Sequence, residues 1–174
     1  MQLELYENEI SELLAMLNEE DYPETYNFLA AVVSGEEGAE FDLYVIANEL
    51  LRFDKPNDLP PFIIDFITDL FTACIEEGNA DAMNDLGAQY YDGARGFEQS
   101  FEKAVYYYNM AAENGSRQAQ ENLGYCYYYG RTGVVDYEKA FHYFALGAFD
   151  GHLISLYKIG DMYAAGYYVK KNET

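Results

Sequence analysis

A chain of 174 residues, half of them apolar or aromatic, is long enough to bury one sizeable core, which argues against disorder. Its 31 acidic and 10 basic residues leave a net charge of -21, which argues against nucleic acid as a partner, because phosphate neutralisation needs Lys and Arg. Asp65 and Asp69 interrupt the greasiest run, Phe62 to Ile75, and Glu4, Glu7 and Glu9 stand where an export signal would be basic. A soluble, cytoplasmic protein with no membrane contact is expected.

Tyr6, Ile10, Leu13, Leu14 and Leu17 recur at helical spacing and predict an amphipathic helix over 3–19. Asp21 as cap and Pro23 near the first position predict a second helix to about Val33, ended by Ser34, Gly35 and Gly38. A third is expected from Ala39 to about Phe53, with Phe41, Tyr44, Val45, Ala47, Leu50 and Leu51 on its apolar face. Residues 54–61 hold three of the four prolines and predict a rigid connection. A fourth helix follows from Phe62 to Glu77, closed by Gly78.

From Asn79 the chain repeats itself. The first copy runs Ala82, Leu86-Gly87, Tyr90, Gly93, Gly96, Ser100, Lys103-Ala104, Tyr107-Tyr108, Ala111-Ala112 and Gly115. The second runs Ala119, Leu123-Gly124, Tyr127, Gly130, Gly133, Asp136, Lys139-Ala140, Tyr143-Phe144, Ala148 and Gly151. A third begins at His152 with Ser155, Ile159-Gly160, Tyr163 and Gly166. Leu-Gly recurs after 37 residues, and its Ile-Gly counterpart after 36 more, a period that means stacked supersecondary units. Gly87, Gly124 and Gly160 are expected to let helix A cross its own helix B, opposite Ala104, Ala111, Ala140 and Ala148. Gly115 and Gly151 suit helix ends, and Ser100 and Asp136 suit helix starts.

These matched positions, twice in register, resemble the Sel-1-like repeat family, a branch of the tetratricopeptide-type helical repeats. The resemblance implies an all-α fold, an α/α superhelix of antiparallel helix pairs wound right-handed, used as a non-enzymatic adaptor for protein partners. The organisation expected is one helical-repeat domain: a capping pair at 1–35, a divergent repeat at 36–78, repeats at 79–115 and 116–151, and a partial repeat at 152–174. The third copy lacks a second helix, which leaves the apolar side of 153–165 uncovered. A chain continuing past Thr174, an end covered by another chain, and a natural protein with a frayed end are the three explanations. The second includes self-association through the open C-terminal repeat.

If tetratricopeptide geometry carries over, a concave groove is lined by helix A at -5, -2, +2, +5 and +6 from the Leu of Leu-Gly. The residues expected to meet a partner are Asp81, Asn84, Tyr91 and Asp92 in the first copy, Glu121, Tyr125, Tyr128 and Tyr129 in the second, and Tyr157 and Asp161 in the third. Tyr and acidic groups suit a peptide with basic and apolar side chains. Fifteen of the nineteen tyrosines lie in the repeats, so packing competes with recognition for each one. An alternative function starts from charge. Residues 1–78 hold 19 acidic and 2 basic residues, as an acidic inhibitor or immunity-type protein neutralising a basic toxin or nuclease would.

Catalysis finds little support. His142 and His152 are expected at the surface, and no nucleophile arrangement, phosphate loop or zinc spacing appears. No cofactor and no metal are expected. A ligand-binding or hydrolytic module is the weakest of the readings. Cys74 and Cys126 occupy non-equivalent positions of different helices and read as buried free thiols.

Overall fold

The computed structural model describes residues 2–35, 42–52 and 59–168, the side chains of 2–5 apart. Among the described residues there are nine helices and no strand. The chain divides into two compact units, Met1–Gly78 with Asp92–Gln99, and Asn79–Tyr91 with Ser100–Thr174.

In the first unit, α1 (Gln2–Met16) and α2 (Pro23–Ser34) pack on each other, as do α3 (Leu43–Leu50) and α4 (Pro61–Glu76). The spacing of Ile10 and Leu13 sends both into the core, joined by Leu17 just past the helix. Asp21 does not cap α2: its carboxylate accepts from Asn18 Nδ2 at 2.8 Å, and Tyr22 holds the cap position, where its side chain makes no capping bond to the helix. Pro23 enters the first turn, where no N–H is needed, and Gly35 closes the helix at φ 62°. The third helix starts later than the apolar pattern predicts, because Asp42 accepts from the Val45 N–H at 2.7 Å and makes itself the cap. The expectations for Ala39, Phe41, Phe53 and Gly38 lie outside the described residues. Ile63, Ile67, Leu70 and Phe71 of α4 are fully buried, and each such side chain contributes about 1.5–3 kcal/mol. Phe97, in the loop 92–99, is buried in this unit, and Gly96 (φ 87°) lies against Ile64 of α4.

The second unit holds α5 (Ala80–Asp92, its last residue grouped with the first unit), α6 (Phe101–Glu113), α7 (Arg117–Tyr128), α8 (Tyr137–Phe149) and α9 (Leu153–Ala165). Odd-numbered helices are the A helices and even-numbered ones the B helices of the repeat. Ser100, Ser116 and Asp136 accept from the N–H three residues on and start α6, α7 and α8. The loops between A and B close alike: the Tyr90 carbonyl accepts from the Ser100 N–H at 2.8 Å, and the Tyr127 carbonyl from the Asp136 N–H at 3.0 Å.

The glycines of Leu-Gly face rings first, and of the expected alanines Ala104 meets Gly87, its carbonyl oxygen 3.3 Å from where a Cβ would stand. A Cβ on Gly87 would meet Tyr108 at 2.9 Å and one on Gly124 would meet Phe144 at 2.8 Å, so bare backbone is what lets an aromatic ring of helix B approach helix A this closely. Gly160 has nothing within 4 Å, so its expected crossing has no partner among the described residues. Lys-Ala has a second use beyond the small alanine. Lys103 lies 4.6 Å over Tyr90, which stacks on Tyr107 at 5.8 Å. Lys139 lies 4.9 Å over Tyr127, which stacks on Tyr143 at 5.8 Å. The same lysine, tyrosine and tyrosine sandwich thus fastens A to B in both full repeats.

Candidate functional site

The helix-A positions singled out in the sequence separate into three groups. Asp81 is exposed and Tyr157 is 67% exposed. Asp92 is exposed too, but belongs to the first unit. Asn84 and Glu121, both at -2, are buried at 8% and 6% exposure, and so present little surface to a partner. Asn84 Oδ1 accepts from Asn122 Nδ2 at 3.0 Å, while Asn84 Nδ2 donates to Asp85 at 3.2 Å. Glu121 Oε2 lies 3.5 Å from His152 Nδ1, which ties α7 to the start of α9. His152 is therefore a half-buried joint and not the surface residue the sequence suggests, whereas His142 is exposed.

Tyrosines make the third group. Tyr91, Tyr125 and Tyr129 meet across two repeats and, with Tyr108 and Asn122, line a cavity of about 160 Å³. Tyr125 and Tyr129 stack at 6.2 Å with 8° between their planes, and Tyr125 also sets its edge against Phe144. Tyr128 packs against Tyr137, Phe144 and Tyr167, with Tyr137 and Tyr167 stacked at 4.2 Å. Burial raises the phenol pKa of both Tyr125 and Tyr128. Glu121 adds to the first, and Tyr167, Tyr137, Tyr129 and then Asp161 add to the second.

Two residues that sequence reasoning passed over complete the face. Asn122 and Lys158 both stand one position before the Leu or Ile of the repeat signature, and both reach back to the preceding repeat. Asn122 reaches Asn84, and the Lys158 ammonium lies 5.6, 5.2 and 5.9 Å from the rings of Tyr125, Tyr128 and Tyr129. The signal in the sequence is that this position is polar in all three copies, Asp85, Asn122 and Lys158, although it adjoins a buried leucine or half-buried isoleucine.

A larger hollow of about 670 Å³ is lined by helix-B residues including Lys139, Glu138 and His142. Lys139 is paired with Asp136 at 3.7 Å and lies over Tyr127, and Glu138 accepts from the Tyr168 hydroxyl at 3.4 Å, so its charges are engaged internally. Among the described residues no group of three or more His, Cys, Asp or Glu could hold a metal ion, and no helix is long and apolar enough to cross a membrane. Both cysteines are free and buried.

Stacked helix pairs with repeated caps, repeated glycine-on-ring crossings and repeated A-to-B loops define an α/α helical-repeat protein. The Sel1 repeat pattern matches residues 80–116, 117–152 and 153–174, more than half of the chain, and the chain belongs to the Sel1 repeat family. It is 37% identical over 99 residues, 56% of its length, to the ERAD-associated E3 ubiquitin-protein ligase component HRD3B of Arabidopsis thaliana. It is 36% identical over 131 residues, 75% of its length, to protein sel-1 homolog 2 of Rattus norvegicus. The chain spans only 15% and 18% of the length of these two relatives. Among solved structures, a protective antigen of uropathogenic Escherichia coli with an SLR fold superposes with a TM-score of 0.64 and 27% identity, over 84% of this chain and 30% of that one. A Sel1 repeat protein from Oxalobacter formigenes has the same fold, with a TM-score of 0.65 at 22% identity over 84% of this chain and 58% of its own. The fold class is therefore the all-α, α/α superhelix of the Sel1-like repeats, whose members serve generally as protein-interaction scaffolds.

Proposed function

We propose that this chain is a non-enzymatic adaptor that holds a protein or peptide partner on the A-helix face of its repeats. The observation that carries the reading is the tyrosine-lined cavity spanning α5 and α7, where Tyr91, Tyr125 and Tyr129 converge from two different repeats. Tyrosine offers large contact area with few torsions to freeze, and a tyrosine face on a chain of net charge -21 favours a partner with basic and apolar side chains. A relative that is itself a component of a ubiquitin ligase keeps company with that role, since it too works inside an assembly. In this reading 1–35 act as a capping pair, 36–78 as a divergent repeat and 152–174 as a partial one, in a soluble, cytoplasmic protein.

The informative variants are not those the sequence suggests first. Tyr128 is built into the packing of α8 and of the turn after α9, so its removal would confound binding with folding. Tyr129 (51% exposed) and Tyr157 (67% exposed) are the cleaner probes. Partners captured on the immobilised chain are identified, purified and titrated against Tyr129→Ala and Tyr157→Ala, each checked by circular dichroism. Affinity loss of tenfold or more in a folded variant is expected. Unchanged affinity in both would remove this face as the binding surface.

A further inference from the structure

Lys158 is the one observation on this face that simple packing leaves unexplained. Its ammonium sits within cation–π range of three rings at once, at 5.2 to 5.9 Å, and among the described residues it has no ion pair. A lysine at the surface of a chain carrying a net -21 does not lack carboxylates to pair with. Here it is turned instead onto aromatic faces supplied by the neighbouring repeat, an arrangement that binds ammonium groups in general.

The convergence of three tyrosines on one cation is particular to one repeat; one repeat earlier Arg131 lies 6.0 Å over Tyr91 and 4.5 Å over Phe101. Counting from the signature Leu, the positions of Tyr125, Tyr128 and Tyr129 hold Ala88, Tyr91 and Asp92 one repeat earlier, and the residue placed like Lys158 is Asn122. Asn122 accordingly makes an amide bond to Asn84 and approaches no ring as a cation. Two further tyrosines and a lysine therefore stand together where the first repeat has only Tyr91. Burial raises the phenol pKa of Tyr125 and Tyr128, and Glu121 adds to the first and Asp161 to the second.

We propose that Tyr125, Tyr128 and Tyr129 form an ammonium-receiving cage that Lys158 fills from within the chain, and that a partner engaging this face inserts a lysine or methylated-lysine side chain in its place. The proposal rests on the adaptor reading for the partner, but the cage itself does not need one. Lys158 acts as an internal competitor: an external ammonium gains only the difference between its own contacts and those of the resident lysine, so the intact site binds weakly until Lys158 is moved. Tyr129 is half exposed and Lys158 is only partly buried, so the exchange needs no opening of the core.

The test uses choline as the probe, with 3,3-dimethylbutan-1-ol as its neutral isostere, titrated by NMR against the intact chain, Lys158→Ala and Lys158→Met. Lys158→Met keeps an unbranched stem, one atom shorter and with a thioether, and removes the charge, which guards against a folding defect in the alanine variant. Expected are tyrosine ring shifts on adding choline to either variant, at least tenfold tighter binding than to the intact chain, and loss of that gain when Tyr129→Ala is added. The isostere should bind at least tenfold more weakly than choline. Equal choline affinity for the intact chain and both variants, or equal affinity for choline and its isostere, would overturn the cage. No partner enters this titration, so failure of the adaptor reading, seen as unchanged partner affinity in Tyr129→Ala and Tyr157→Ala, is read separately.

Discussion

At the scale of single residues, the two kinds of glycine in the repeat signature have opposite prospects. Gly124→Ala would set a methyl 2.8 Å from Cε1 of Phe144, a fully buried ring with nowhere to go. A cost of about 1–3 kcal/mol is expected, read as a lower urea midpoint. Gly160→Ala meets nothing within 4 Å and should stabilise α9 by up to about 1 kcal/mol, the propensity difference between the two residues. If both changes shift the midpoint alike, the ring-on-glycine account is wrong. Burial also decides the thiols: it pushes Cys126 up to about 12, against a lowering pull from Arg131, and Cys74 up to about 11. Neither should react with Ellman's reagent at pH 8 faster than the protein opens, whereas both should react at once in denaturant.

At the scale of elements, α6 and α8 both start on a side-chain cap. Asp136 accepts from the Lys139 N–H at 3.0 Å and pairs with the Lys139 ammonium at 3.7 Å. Asp136→Ala should cost about 1 kcal/mol in urea denaturation, since the exposed ion pair adds little to the cap. Asp136→Ser should recover most of it, because Ser100 fills the equivalent position one repeat earlier. A serine variant as unstable as the alanine one would show that the carboxylate's charge, and not its acceptor, starts α8. Between elements, Arg117 Nε reaches Asp150 at 3.2 Å and ties the start of α7 to the end of α8, but at 67% and 34% exposure the pair is worth well under 1 kcal/mol.

At the scale of the whole molecule, burial raises several acids in the same direction. Tyr107, Tyr125 and Tyr143 are raised chiefly by desolvation, as are both cysteines. For each, the folded pKa lies above the unfolded value, so the unfolded chain sheds its proton first as pH rises. The associated stability is complete below the unfolded thiol value near 9 and is lost as pH climbs through the folded values toward about 12. Urea-derived stability should therefore be flat in this respect up to about pH 9 and fall beyond it. Stability that holds or rises between pH 9 and 11 would contradict the buried placement of these groups.

Local rules that need only a few consecutive residues were readable without coordinates. Ser100 and Asp136 as caps, Gly115 and Gly151 in the left-handed region, and the buried Leu86 and Leu123 follow from helix chemistry and period alone. Asp21 shows the limit of such rules: an acceptor in the right place was taken up by Asn18, a neighbour with a free amide. The direction of a side chain between repeats is another matter. Whether Glu121 is buried against His152, whether Tyr128 serves packing while Tyr129 faces out, and whether Lys158 turns back onto the preceding repeat depend on how one helix pair is rotated on the next. A helix repeats every 3.6 residues, so three consecutive tyrosines must point three ways, and only stacking decides which neighbour each one meets. The repeat period thus specifies the unit, while the packing of unit on unit decides which of its surfaces remain for a partner.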